Sequence, residues 1–190
     1  NAFVYSLTRR LLDFDILNKL VDYDKKHDKL IDFNRALPDG KSLFTFFNTI
    51  NCIDDNIQKF VTFLLENGVD PNTPNNNGVY PLEHAIQISC FTLVKELINS
   101  GKIDFSIRIN DNLSPTKCTK KTYLHLAVEK NDLDVVSLFI DNKLIDVNVT
   151  DSDGRTPLID ACIVENRGII QKLFNVDDLD YLHRDKNGDD

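Results

Sequence analysis

The sequence predicts an all-α fold: a solenoid of helix–turn–helix units joined by β-hairpin loops. Three observations point there. The segment Phe60-Val61-Thr62-Phe63-Leu64-Leu65-Glu66-Asn67-Gly68 is echoed by Leu93-Val94-Lys95-Glu96-Leu97-Ile98-Asn99-Ser100-Gly101, with equivalent residues 33 positions apart. Apolar pairs recur at i, i+1, i+4, i+5, as in Leu93-Val94 with Leu97-Ile98 and Val135-Val136 with Phe139-Ile140, which draws one apolar stripe along a helix. Asp-Gly at Asp39-Gly40 and Asp153-Gly154 supplies the positive-φ corner of a hairpin turn. A unit repeated at a fixed interval buries its apolar face by stacking on its neighbours, so the pattern describes an array.

The elements follow in order. Residues 1–38 give a first unit: a helix ending near Thr8, then Ile16-Leu17 with Leu20-Val21, then a loop lengthened by the charged run Asp22-Tyr23-Asp24-Lys25-Lys26-His27-Asp28-Lys29. Residues 39–76 form a divergent second unit. Its first helix carries the bulky Ser42-Leu43-Phe44-Thr45-Phe46-Phe47, about five surplus residues fall near Asn51-Cys52-Ile53-Asp54-Asp55, and Gly68 ends its second helix in a left-handed cap. The third unit, 77–119, opens on Gly78-Val79-Tyr80-Pro81-Leu82-Glu83-His84-Ala85-Ile86, and Gly101 closes its second helix. Its polar, proline-containing stretch 106–120 reads as a long hairpin loop projecting from one edge, either a binding insertion or a plainly tolerated one.

The fourth unit, 120–152, runs through Thr122-Tyr123-Leu124-His125-Leu126-Ala127-Val128. The fifth, 153–186, runs through Thr156-Pro157-Leu158-Ile159-Asp160-Ala161-Cys162 and then Ile169-Ile170 with Leu173-Phe174. Thr156 caps the helix that follows, and Pro81 and Pro157 suit a first turn, where the missing N–H is an orphan anyway. Ala85, Ala127 and Ala161 are small where the first helix of each unit packs tightly. Asp185-Lys186-Asn187-Gly188 copies Asp151-Ser152-Asp153-Gly154, so 187–190 is expected to begin a truncated further repeat of a longer protein.

These stretches resemble the ankyrin signature, Gly-x-Thr-Pro-Leu-His-x-Ala, clearly over about 39–186 and weakly over 1–38. The resemblance implies that His125 bridges its hairpin to a neighbouring repeat by hydrogen bonds, whereas Glu83 and Ile159 hold the same slot with that bridge altered or absent. It implies that Asn34, Asn72 and Asn148 tie the loops together by side-chain bonds to backbone, a position that is hydroxylated in some relatives. It also implies a concave face made of the hairpin tips and the inner helices, here Lys41, Asn77, Val79, Glu83, Gln87, Lys121, Tyr123, Glu129, Arg155 and Asp160. Tyr123 stands where the signature has proline and serves either as an exposed aromatic anchor or as packing for the next hairpin.

Charge and motifs restrict the chemistry. The last fifty residues carry 12 acidic and 6 basic groups, so most of the net charge of −8 sits there. An acidic surface repels phosphate backbones, which argues against nucleic acid and for a partner with a basic surface. No apolar stretch reaches membrane-spanning length. Cys52, Cys90, Cys118 and Cys162 form no CxxC and suit free thiols in a reducing compartment, with Cys162 expected in a core-facing slot beside Ala161. The Cys118 to His125 spacing matches no zinc site, Asp54-Asp55 and Asp177-Asp178 read as solvated, and no phosphate-cradling loop or nucleophile pattern occurs. No catalytic, metal or cofactor residue is therefore proposed.

The expected function is that of a monomeric cytoplasmic interaction module or scaffold. It binds a partner protein through the concave face and hairpin loops, without catalysis or a cofactor of its own. The alternative is the substrate-recruiting segment of a larger enzyme or host-targeted effector whose catalytic domain lies outside this chain, placed in the host cytosol or nucleus if the source is a virus or intracellular pathogen.

Overall fold

Helix α1, Phe14–Lys26, has Asp15 in its first turn and Lys25 and Lys26 in its last, each favoured by the helix dipole. It absorbs most of the charged run expected to be loop. The rings of Tyr23 and His27, four residues apart, lie 4.2 Å from each other across the final turn. The computed structural model describes residues 14–27, 40, 42–45, 56–110 and 120–188. The helix expected near Thr8, the surplus at 51–55, Asn34 and the loop tip at 111–119 lie outside them. The chain divides into two units, 1–81 and 82–190.

In the first unit, Ser42 and Thr45 exchange bonds: Ser42 N–H donates to Thr45 Oγ1 at 2.9 Å, and Thr45 N–H to Ser42 Oγ at 3.2 Å. Helix α2, Asn56–Glu66, buries Ile57, Phe60, Val61 and Leu64, the i, i+3, i+4, i+7 stripe of an amphipathic helix. It stops because Gly68 takes φ +79°, and Val69 N–H then reaches back to the Leu64 carbonyl at 3.0 Å. A hairpin turn follows. The Asn75 side chain accepts from the N–H groups of Asn77 and Val79 at 2.9 and 3.0 Å, and Asn76 N–H donates to the Gly40 carbonyl at 2.9 Å.

The second unit stacks two rows of helices. Helix α3 is Pro81–Gln87, α4 Phe91–Asn99, α5 Tyr123–Glu129, α6 Leu133–Asp141, α7 Pro157–Ile163 and α8 Arg167–Phe174. The short helix α5 packs on α7, α6 packs on both α4 and α8, and each short helix from α5 on packs on the longer one that follows it. Ala85, Ala127 and Ala161 are fully buried, as are Leu93, Val94, Leu97, Val135, Val136 and Phe139. Strands β1, Ile109–Asn110, and β2, Lys120–Lys121, pair antiparallel with Ile109 opposite Lys121, closing the base of the expected long loop.

The caps follow the sequence closely. Thr156 accepts from Ile159 N–H, and Thr122 and His125 form a reciprocal capping box. The turn of Asp151 repeats that of Asn75: its Oδ1 accepts from Asp153 N–H and Arg155 N–H at 2.8 and 2.9 Å. Asp185 starts the same turn again, accepting from Asn187 N–H at 2.7 Å. Backbone bonds run from hairpin to hairpin, Ser152 N–H to Lys120 O at 3.2 Å and Lys186 N–H to Asp153 O at 3.0 Å. The sequence did not announce how the short helices end. Ser89, Asn131 and Glu165 take positive φ there and fill the role that glycine has in α2 and α4.

Candidate binding site

The site is built on the short helices α3, α5 and α7 and on the β1–β2 hairpin. His125 anchors the framework. Fully buried, it accepts at Nδ1 from the Thr122 hydroxyl at 2.7 Å and donates from Nε2 to the Arg155 carbonyl at 3.0 Å, because a carbonyl can only accept. Burial lowers its pKa to about 4, opposed by the Arg155 carbonyl bond and the Asp151 charge, so the ring is neutral. The bridge expected of His125 is thus present, and His183 Nε2 makes a similar one to the Gly154 carbonyl at 2.8 Å. Asn148 also ties loops as expected, donating to Asp178 O at 2.6 Å and accepting from Asp180 N–H at 2.8 Å. In the signature's histidine slot, Glu83 accepts from Gln87 Nε2 at 3.0 Å within its own helix.

Beside this framework lies an open cavity of 570 Å³. Three carboxyl groups line it: Glu83, Glu129 and Asp160. So do three cations, Lys121, Lys130 and Arg155, with apolar surface from Ile109, Leu126, Ile163 and Val164 and amides from Gln87 and Asn110. Two of the cations are engaged. Lys121 Nζ donates to Glu129 Oε1, and Arg155 Nε stands 3.7 Å from Asp185 Oδ2. Asp160 differs: it is 4% exposed, and its Oδ2 has no hydrogen-bond partner among the described residues. Burial raises its pKa to about 7; Glu129 adds repulsion, and Lys121 partly offsets it.

Six of the ten residues proposed from sequence therefore meet in one cavity: Glu83, Gln87, Lys121, Glu129, Arg155 and Asp160. Asn77 and Val79 lie on the hairpin of the first unit, exposed and half-buried, and Lys41 falls outside the described residues. Tyr123 is not an exposed anchor. It is 1% exposed because it fills the signature's proline slot, where Pro81 and Pro157 are buried as well.

Cys162 also departs from expectation and is exposed. Ile86 and Val128 fill its place in α3 and α5 and are fully buried, but α7 is the last short helix among the described residues. Cys162 therefore faces outward with Phe174 and Tyr181, which line a smaller cavity beside it. Sequence reasoning missed Ile163, although it occupies the register of Gln87 and Glu129, four residues past the histidine slot. Among the described residues no cluster of three or more His, Cys, Asp or Glu could hold a metal, and no helix is long and apolar enough to cross a membrane.

A family model described as ankyrin repeats, in three copies, matches residues 49–149 and 106–185. Among solved structures the chain is similar to the ankyrin repeat domain of Bcl-3, described as a unique member of the IkappaB protein family. That likeness has 18% identity and a TM-score of 0.71, and covers 93% of this chain and 72% of that one. At this identity it concerns the fold. The search of curated proteins returned no match.

Proposed function

The chain belongs to the ankyrin-repeat family, and from that premise we propose that it binds a partner protein on the face formed by α3, α5, α7 and the β1–β2 hairpin, without catalysis of its own. Ankyrin repeats are protein–protein interaction modules, which makes recognition the reading to develop. The observation that carries the choice of face is the cavity itself. Its walls mix apolar side chains with charged ones from three successive repeats and two strands, the composition of a recognition surface and not of a buried core. The partner segment has basic character, in keeping with the chain's net charge of −8.

The test uses two substitutions at cavity residues that are exposed, Gln87→Trp and Ile163→Arg, which obstruct the opening without entering the core. Partners captured from lysate and crosslinked to the wild-type chain are expected to disappear with the double variant, whose circular dichroism stays unchanged. Retention of the same partners, with crosslinks mapping elsewhere, would overturn this choice of face.

A further inference from the structure

We propose that the cavity is a receptacle for one lysine side chain of the partner, whose ammonium pairs with the buried Asp160 carboxylate while its aliphatic stem lies along Leu126 and Ile163. This inference rests on the preceding one, that a protein partner occupies this face.

The Asp160 charge is incompletely compensated. A carboxylate removed from water is stable only when paired or hydrogen-bonded, and Asp160 Oδ2 has no such partner among the described residues. Lys121 and Arg155 attract the Asp160 charge through space, but neither gives its Oδ2 a hydrogen bond. Lys121 is held by Glu129, and Arg155 is drawn to Asp185. The charged groups that reach Asp160 are Glu129 of α5, Lys121 of β2, and Asp151 and Arg155 of the hairpin before α7; Glu83 and Lys130 line the same cavity.

The shape of the acceptor selects the head group. An ammonium donates three bonds in any direction and can satisfy Oδ2 together with a second carboxylate. A guanidinium needs two parallel acceptors for its fork, and Asp160 offers one free oxygen. The apolar wall suits the four methylenes of a lysine stem, which snorkel in this way on other surfaces. Burial has lifted the Asp160 pKa to about 7, so an arriving ammonium must displace a proton below that pH. Affinity is then expected to rise about tenfold per pH unit below 7 and to level off above about 8, where the lysine remains charged.

The test does not depend on the identity of the natural partner. Short linear peptides are selected from a random phage-displayed library against the intact chain, and their affinities are measured by fluorescence anisotropy at about pH 6 and pH 8. The expected result is a shared lysine whose replacement by norleucine weakens binding about thirtyfold to the wild-type chain but less than about threefold to Asp160→Asn. The norleucine arm leaves the protein unaltered, so it stands even if the variant folds poorly.

Peptides blocked by Gln87→Trp yet indifferent to norleucine and to Asp160→Asn would overturn the lysine assignment and leave the face intact. A shared arginine in place of the lysine would overturn the ammonium assignment alone. Peptides indifferent to Gln87→Trp, or a selection that yields none, would overturn both readings.

Discussion

Replacing Asp160 by asparagine is expected to stabilise the fold, and to do so more as the pH rises. The carboxyl is 4% exposed and its pKa stands at about 7 against an ordinary 3.8. A group whose pKa is raised on folding contributes most favourably below its unfolded value, and that contribution is lost as the pH climbs through the folded one. Here the window runs from 3.8 to about 7. At about 1.4 kcal/mol per unit, ionising Asp160 in the fold costs a ceiling of about 4 kcal/mol above neutrality. Asparagine resembles the protonated acid in size and polarity, so near pH 4 the two chains should differ by less than about 1 kcal/mol. Near pH 8 the variant should be more stable by about 2–4 kcal/mol. Urea unfolding of both chains across this pH range, followed by far-ultraviolet circular dichroism, measures the difference. A variant less stable than its parent near pH 8, or a difference that does not change with pH, would refute the placement of an uncompensated carboxyl in the cavity.

Three further outcomes follow from the geometry. His125→Gln removes the bridge between Thr122 and the Arg155 carbonyl and should cost about 2–3 kcal/mol near neutral pH. The pKa of His125 is lowered from 6.5 to about 4, so its contribution is full above 6.5 and fades as the pH falls to 4, and that acid-side slope should vanish in the variant's urea titration. Gly154→Ala meets both a φ of +80° and the Lys186 nitrogen 3.3 Å from the added Cβ, whereas Gly68→Ala meets the unfavourable φ with nothing within 4 Å. Thermal melts should therefore rank Gly154→Ala the more damaging, with Gly68→Ala costing about 1 kcal/mol. In native buffer a maleimide should modify Cys162 within minutes and leave Cys90 untouched until denaturant is added; peptide mapping by mass spectrometry resolves the two sites, and early Cys90 labelling would contradict its burial.

The repeat arithmetic made most of the fold legible because it reports a physical necessity: each helix pair must bury its stripe on the next. Pro81, Pro157, Thr156, Gly68 and Gly101 act where local chemistry alone places them. Ser89, Asn131 and Glu165 escaped notice since only the asparagine has an intrinsic tolerance for positive φ; the other two are held there by the packing of the helices they terminate. Of the two roles left open for Tyr123 the buried one holds, and Cys162 was misjudged for a related reason. Burial belongs to a place in the stack, and the Cys162 register position is covered in α3 and α5 but open in α7.

Asp160 shows what such register comparisons can reveal about function. Its counterparts, in the position just before the buried alanine, are His84 in α3 and Leu126 in α5, both 8% exposed. Leu126 shows that an apolar side chain is fully compatible with the slot, and the fold would gain by having one in α7 as well. From neutral pH upward a carboxyl there lowers stability, and it lines the same cavity as Leu126. Residues that weaken the fold while facing an open cavity are the ones whose chemistry is directed outward. The site therefore sets two parts of unequal role side by side: His125, whose neutral ring holds hairpin to helix behind the cavity, and Asp160, whose charge awaits a partner. Exchanging the Leu126 and Asp160 side chains separates the two roles, because the swapped chain keeps the cavity's composition and the His125 bridge while moving the carboxyl from α7 to α5. It is expected to fold with unchanged circular dichroism and to lose the lysine-dependent peptides. Undiminished binding by the swapped chain would mean that overall charge, and not the position of this one carboxylate, governs recognition.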